Sequence, residues 1–148
     1  MLRKDLRISV LVRTRDMESL FQELLRRLSR QTLQSSEIVI VDNFLSPKSL
    51  EEMKGVLFSA KREFFDNRIT MKLVPIKDGE FSHPYSTNVG IYVAEGDLVC
   101  ITNGHSLPLA DEWLEVGVSH FANSEIAGVG GYTVSNKDGT MWEKIGYD

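Results

Sequence analysis

The sequence predicts an α/β fold in which a doubly wound, mainly parallel sheet carries helices on both faces. Short apolar runs alternate with amphipathic stretches along the whole chain, which is the pattern of repeated strand–helix units. Polar residues follow the apolar runs directly, as at the carboxyl ends of buried parallel strands. The chain has 148 residues and is 42% hydrophobic, enough to bury one core, so we expect a single domain over 1–148.

The first two strands and the helices after them have clear signals. Residues 8–12 form an apolar run typical of a strand buried on both faces. Asp16 can cap the helix that follows, whose apolar residues keep helical spacing from 17 to 28. Residues 38–41 are the second strand. Ser46 and Pro47 then supply an N-cap and a first-turn proline for a second helix.

The second half of the chain continues the same alternation. Its predicted elements are a strand over 69–74, a helix over 86–94, a strand over 98–102, a helix over 111–123 and a fifth strand over 126–132. Gly96 fits the C-cap of the first of these helices. Residues 136–139, with the sequence NKDG, have the composition of a hairpin turn.

Composition narrows the class of protein. A net charge of −4 and a pI near 5.4 argue against a nucleic-acid partner, which would require a clustered basic face. Cys100 is the sole cysteine and lies in an apolar run, as expected of a packed core thiol. The apolar stretch before Arg13 is too short for a signal peptide or a membrane span. We therefore expect a cytoplasmic domain with no transmembrane segment; attachment to a membrane through a further segment or a partner stays open.

Polar residues follow three of the predicted strands, and they are the candidate site. They are Arg13-Thr14-Arg15, Asp42-Asn43 and Asn103-Gly104-His105, and in a doubly wound sheet they share one edge. A carboxylate there can accept hydrogen bonds from a base or ribose, an arginine suits a diphosphate, and an imidazole can bind Mn²⁺ or Zn²⁺. Taken alone, Asp42 is explained equally well as a turn cap and His105 better as an exposed loop residue.

Four segments, in order, resemble motifs of family-2 glycosyltransferases, the inverting nucleotide-sugar enzymes of the Rossmann-like GT-A fold. ISVLVRTRD at 8–16 is similar to "VSVVIPTYN" or "VIRTKN", and IVIVDN at 38–43 is similar to "EIIVVDDGS". STNVGIYVAEGD at 86–97 is similar to "ARNLGIEAAKGE", and ITNGHSLPLADEW at 101–113 is similar to "FLDSDDLPPPDW". The resemblance runs from about residue 6 to about residue 132.

The resemblance implies roles for individual residues. Asp42 would contact the nucleotide base. The nucleotide-sugar-binding residues it implies are Thr14, Arg15, Asp42, Asn43, Asn88 and Asn103. Asn88 would fix the loop before its helix, although a capping role explains it equally well. The implied ligand is a nucleotide-diphospho-sugar of the UDP type, and the implied cofactor is a divalent metal, Mn²⁺ or Mg²⁺.

Two of the four motifs depart from the family's pattern. The acidic D-X-D motif that binds metal and diphosphate is replaced by Asn103-Gly104-His105. Polypeptide N-acetylgalactosaminyltransferases of the same fold use a D-X-H variant whose histidine binds the metal, so His105 is the implied metal ligand here. The arginine usual in the third motif is Thr87. Weaker metal binding, an unusual donor or lost activity would each be consistent with these changes.

The resemblance predicts a glycosyltransferase that transfers a sugar to an unknown acceptor with inversion, or its donor-binding part. The chain ends at Asp148, so the acceptor-binding half is expected to be absent, and Asp138, Glu143 and Asp148 are candidates for the catalytic base by elimination only. The alternative is a catalytically inactive domain of the same fold that binds a nucleotide sugar or a protein partner. A third hypothesis, a doubly wound domain for another nucleotide, rests on fold analogy alone.

Overall fold

A computed structural model of the protein describes residues 5–135 and 141. The elements are β1 (Ile8–Arg15), α1 (Phe21–Ser29), β2 (Glu37–Phe44), α2 (Pro47–Phe64), β3 (Thr70–Lys77), α3 (His83–Val93), β4 (Leu98–Asn103) and α4 (Trp113–Ser119), with 3₁₀ turns at Asp78–Glu80 and His120–Ala122. All four strands are parallel, in the order β3-β2-β1-β4. The predicted α/β class and four of the five predicted strands are confirmed.

The strand order makes β1 the point at which the chain changes direction across the sheet. From β1 the chain proceeds through β2 to β3 on one side and then returns to place β4 on the other. The helices α1, α2 and α4 pack on one face around Phe21, Met53 and Leu114. Val93, at the end of α3, packs on the other face against Leu11. The sheet is therefore doubly wound, and the crevice between the carboxyl ends of β1 and β4 is where such folds bind ligands.

A buried polar network holds the opposite end of the sheet together. Glu37 is 4% exposed. Its carboxylate accepts from the Ser9 hydroxyl at 2.5 Å and the Glu95 amide at 2.5 Å, and it forms an ion pair with Lys72 at 2.7 Å. Burial alone would raise the pKa of Glu37, but the hydrogen bonds from Glu95, Lys72 and Ser9 outweigh it and lower the pKa. This network joins β1, β2, β3 and the turn before β4.

Replacing Glu37 with glutamine is expected to destabilise the fold by about 2 kcal/mol at pH 7, because Lys72 and the Glu95 amide lose a charged acceptor. Because folding lowers the pKa of Glu37, the ionised carboxylate stabilises the wild-type fold at pH values above the pKa that this group has in the unfolded chain. That stabilisation is lost as the pH falls through the lowered pKa of the folded protein. Urea denaturation from pH 3 to pH 8 measures both effects. Glu95→Gln, which removes an exposed partner of Lys72, should cost less than about 1 kcal/mol, and an equal loss in both variants would contradict the account.

The fifth predicted strand is wrong. Residues 126–132 lie outside the sheet, and all of them except the half-buried Ile126 are exposed. Gly128, Gly130 and Gly131 have no side chain to pack on a sheet face and lose the most backbone entropy on folding, which disfavours a strand. The hairpin predicted at 136–139 falls outside the described residues.

Several predicted helix ends are also corrected. Asp16 is not an N-cap, since α1 begins at Phe21 after Leu20. α3 begins at His83 because the Ser82 hydroxyl accepts from the Tyr85 amide, and α4 spans seven residues rather than 111–123. The C-cap of α3 is Ala94, not Gly96. A Cβ on Gly96 would lie 2.6 Å from the Ser9 backbone nitrogen, so glycine is required there for close packing against β1.

None of the helices within residues 5–135 and 141 has the length and apolarity that crossing a bilayer requires.

Candidate functional site

The carboxyl ends of β1, β2 and β4 bring the predicted polar residues together. Thr14 of β1 lies opposite Asp42 of β2, and Arg13 lies opposite Asn103 of β4. Each strand runs further than its apolar core, so Arg13, Thr14 and Arg15 all belong to β1 itself. The predicted convergence of the three strand ends is therefore observed, while the binding roles of the residues stay predictions.

Asp42 is the most unusual group at this edge. It is 1% exposed, and neither carboxylate oxygen has a hydrogen-bond partner within the described part of the chain. The pKa of Asp42 is raised to about 6, chiefly by burial and to a smaller extent by the nearby charges of Asp16 and Glu18. The amides of Met17 and Asp16 lower this pKa in part, without reaching hydrogen-bond geometry. A buried, unpaired acceptor is costly, which makes the Asp42 carboxylate the leading candidate at this edge to accept a hydrogen bond from a ligand.

The loop after β1 is held in a strained conformation beside Asp42. Asp16 and Met17 have φ angles of 51° and 53°, in the left-handed region that residues other than glycine rarely adopt. The Asp16 amide donates to the Asn43 carbonyl at 3.1 Å, and the Leu45 amide donates to Asp16 Oδ1 at 3.4 Å. Consecutive strained residues cluster at functional sites, and here they connect the loops after β1 and β2.

Arg13 connects three elements at the β1–β4 crevice. Its Nη2 donates to Asn103 Oδ1 at 2.5 Å, and its Nη1 donates to Thr87 Oγ1 at 3.1 Å and to the His83 carbonyl at 3.3 Å. All three acceptors are neutral oxygens. The Arg13 Nε–H is buried and has no partner within residues 5–135 and 141. Arg13 therefore carries a half-buried positive charge at the switch point of the sheet.

The 103–105 loop packs tightly on the loop after β1. His105 Nδ1 lies 2.7 Å from Glu18 Oε1, and the Gly104 amide donates to the Arg13 carbonyl at 2.8 Å. Thr14 is buried, and its hydroxyl accepts from the Glu18 amide at 3.3 Å. A Cβ on Gly104 would lie 2.6 Å from this hydroxyl oxygen. Glycine at the centre of the triplet thus allows the contact between the two loops. Thr14 packs against Gly104 and holds the Glu18 amide through its hydroxyl.

The remaining predicted residues lie around this centre. Arg15 is exposed and pairs with Asp78 at 3.1 Å, on the β3 side of Asp42. Asn43 is 1% exposed and its amide donates to the Ile76 carbonyl at 3.2 Å, so it ties β2 to β3. Asn88 is exposed and lies within α3. The loop-fixing and capping roles considered for Asn88 are therefore wrong, because the helix begins five residues before it.

A cleft of about 580 Å³ opens beside the strand ends on the β4 side. Asn103 and His105 line one wall, and residues 131–135 line the other. This volume lies within the range of small-molecule sites. A second hollow, of about 650 Å³, lies between α1 and α2 and contains none of the strand-end residues.

The sequence analysis placed Arg13 in the candidate site without a role of its own, and it missed Glu18. Arg13 stood in the motif beside Arg15, but nothing in the local sequence distinguishes the arginine with the neutral partners from the one paired with Asp78. Glu18 lies inside the segment predicted to be helical from residue 17, whereas the structure has a left-handed turn at Asp16 and Met17 and brings Glu18 against His105. Its position three residues after the strand was the only available signal.

The donor set at 103–105 fits a divalent metal ion poorly. Asn103 offers a neutral oxygen that already accepts from the Arg13 guanidinium, and a fixed positive charge there opposes a second cation. His105 is paired with Glu18, and within residues 5–135 and 141 no three His, Cys, Asp or Glu side chains are grouped as metal ligands. The metal role of His105 stays a prediction, and no chemical step is derived through a metal here.

Comparison with solved structures shows the class of fold. S. aureus TarS 1–349 aligns over 89% of this chain with a TM-score of 0.62 at 20% identity, and TarS 1–349 in complex with UDP-GlcNAc aligns over 89% with a TM-score of 0.60 at 20% identity. The chain spans 40% and 38% of those two chains. The fold is that of GT-A glycosyltransferase domains. No protein-family profile matches the sequence, and no curated protein does.

Proposed function

We propose that this chain binds a nucleotide-diphospho-sugar of the UDP type at the carboxyl ends of β1, β2 and β4. The observation that carries the proposal is Asp42, whose buried carboxylate has no hydrogen-bond partner among the described residues and lies at the edge of the sheet where such folds bind ligands. The structure of S. aureus TarS 1–349 in complex with UDP-GlcNAc supports the ligand class. The uracil N3–H is a donor that suits this acceptor.

The proposed function is that of a glycosyltransferase, or its donor-binding part, acting by inversion. In that reaction the acceptor hydroxyl attacks the anomeric carbon, a base removes its proton and the nucleoside diphosphate leaves. Asp42 would hold the base, and the cleft beside Asn103 would hold the diphosphate and sugar. The acceptor and the catalytic base are not assigned, and Asp138, Glu143 and Asp148 lie outside the described residues.

A catalytically inactive nucleotide-sugar-binding domain is the second candidate. The neutral Asn103 and the paired His105 favour it, because neither supplies the carboxylates of the D-X-D motif. An assay of UDP-GlcNAc hydrolysis, in which the release of UDP is measured, discriminates the two candidates once binding is established. Measurable hydrolysis that is lost on substitution of Asp42 supports the enzyme, and tight binding without hydrolysis supports the binding domain.

Calorimetric titration with UDP and CDP tests the proposal. We expect UDP to bind at least about tenfold more tightly than CDP, since cytosine presents a lone pair at N3 where uracil presents an N–H, and an acceptor facing an acceptor leaves both unpaired. The titration at pH 7.5 would contradict the proposal if neither nucleotide bound, or if CDP bound more tightly.

A further inference from the structure

Arg13 has no counter-ion among the residues that the structure describes. Its three hydrogen bonds go to an amide oxygen, a hydroxyl and a backbone carbonyl, and none of the ion pairs within residues 5–135 and 141 includes it. A half-buried guanidinium with only neutral partners keeps its full charge. Within the described residues Nη2 donates only to Asn103, so the group has both charge and a further N–H donor left for an anion.

The identity of residue 103 preserves that charge. Asn103 Oδ1 lies 2.5 Å from Arg13 Nη2, so an aspartate at this position would form an ion pair with Arg13 and neutralise it. Asparagine keeps the hydrogen bond and leaves the charge available. Thr87 makes a similar neutral contact, at 3.1 Å, at the position where the resembling motif has an arginine. The two departures from the family's pattern therefore meet on one side chain.

We propose that Arg13 binds the diphosphate of the nucleotide sugar directly and supplies the positive charge at this site, so that donor binding does not require a divalent metal ion. This inference rests on the proposed function. Guanidinium groups bind phosphate oxygens through paired N–H donors, and Arg13 is held at the β1–β4 crevice by contacts to α3 and β4. In a transferase, the same fixed charge would stabilise the diphosphate as it leaves.

The test compares UDP and inorganic pyrophosphate binding in EDTA and in Mn²⁺ by calorimetry. We expect the wild-type protein to bind both ligands in EDTA, and Arg13→Gln to weaken UDP binding about 30-fold, the loss typical of a charge-assisted hydrogen bond. Arg13→Lys keeps the charge without the fork and should lose less. Arg68→Gln is the matched control, because Arg68 is exposed and pairs with Asp66 before β3, and its UDP affinity should equal the wild type's.

Asn103→Asp gives a second test that does not remove the arginine. The new carboxylate would pair with Arg13 and repel the diphosphate, so UDP affinity in EDTA should fall about tenfold. The Arg13 Nε–H resonance provides a direct readout, since it should shift when pyrophosphate binds to the wild-type protein. A purely structural role for Arg13 would leave that resonance unchanged.

The outcomes separate this inference from the proposed function. UDP binding that requires Mn²⁺ and is unaffected in Arg13→Gln would overturn the Arg13 inference while the nucleotide proposal stands. If pyrophosphate bound in a way that depends on Arg13, and UDP bound no more tightly than pyrophosphate, the result would support the anion site and overturn the nucleotide proposal. Binding of neither ligand to the wild-type protein would overturn both.

Discussion

Replacing Asp42 with asparagine is expected to weaken UDP binding about 30-fold, because the uracil N3–H loses a charged acceptor. The preference for UDP over CDP should also disappear, since an asparagine amide can donate to cytosine N3 as well as accept from uracil. Calorimetric titration of both nucleotides measures the two effects together. Asp66→Asn is the matched control, because Asp66 is exposed and lies before β3; its affinities should not change.

The same substitution is expected to stabilise the ligand-free protein at high pH. The pKa of Asp42 is raised to about 6, so its burial costs stability as the pH rises through that value, by at most about 3 kcal/mol. The difference in unfolding free energy between Asp42→Asn and the wild type should thus be largest near pH 8 and vanish below about pH 4. Asp16 and Glu18, whose charges act on Asp42, are present in both proteins, so the comparison isolates the change at residue 42.

Urea denaturation across pH 4 to pH 8 measures that difference. Asp42→Asn should be the more stable protein at pH 8 even though it binds UDP less tightly. The wild type should also lose UDP affinity below about pH 6, as its carboxylate gains a proton. A variant with unchanged UDP affinity and unchanged stability would show that Asp42 has no role at this site beyond its place in β2.

Replacing Gly104 with alanine is expected to cost about 2 kcal/mol of stability, as overpacking of a close contact does. The added Cβ would lie 2.6 Å from Thr14 Oγ1, 2.8 Å from Thr14 Cβ and 2.7 Å from Glu18 Oε2. The loop must move to accept it, which separates His105 from Glu18 and displaces Asn103 from Arg13. UDP affinity should fall at least about tenfold, the cost of one or two misplaced hydrogen bonds.

Gly55→Ala is the control for Gly104→Ala. Gly55 lies in α2, and a Cβ there has no atom within 4 Å, so alanine should stabilise the helix by up to about 1 kcal/mol. Thermal unfolding and UDP titration of both variants measure the contrast. Gly104→Ala with wild-type stability and wild-type affinity would contradict the packing of the two loops.

The fold was predictable because its strands and helices have strong local periodicity. Residues 8–12, apart from Ser9, and residues 38–41 are apolar on both faces of the sheet, and the apolar spacing from Phe21 to Leu28 is helical. The prediction of a fifth strand over 126–132 was wrong because three of its residues are glycines, which have no side chain to pack against the sheet. α3 begins earlier than predicted because Ser82 caps it and Pro84 lies in its first turn.

The site was only partly predictable because its contacts join residues far apart in the chain. Asp42 and Asn103 could be found as polar residues at strand ends, since parallel strands share an edge. The different roles of Arg13 and Arg15 could not be predicted, because they depend on partners that are distant in the chain. Arg13 donates to Asn103 and Thr87, whereas Arg15 pairs with Asp78. The contact of Glu18 with His105 depends on a left-handed turn at Asp16 and Met17 that the sequence does not specify.

Mapping the UDP site by NMR on the ¹⁵N-labelled protein tests the central claim most directly. The account predicts that UDP shifts the backbone amides of residues 14–18, 42–45 and 103–105 together, at the ends of β1, β2 and β4. The amides lining the hollow between α1 and α2, at Gly55 and Ser59, should not move. Shifts confined to that hollow, or none at all at saturating UDP, would contradict the assignment of this edge as a nucleotide-sugar site.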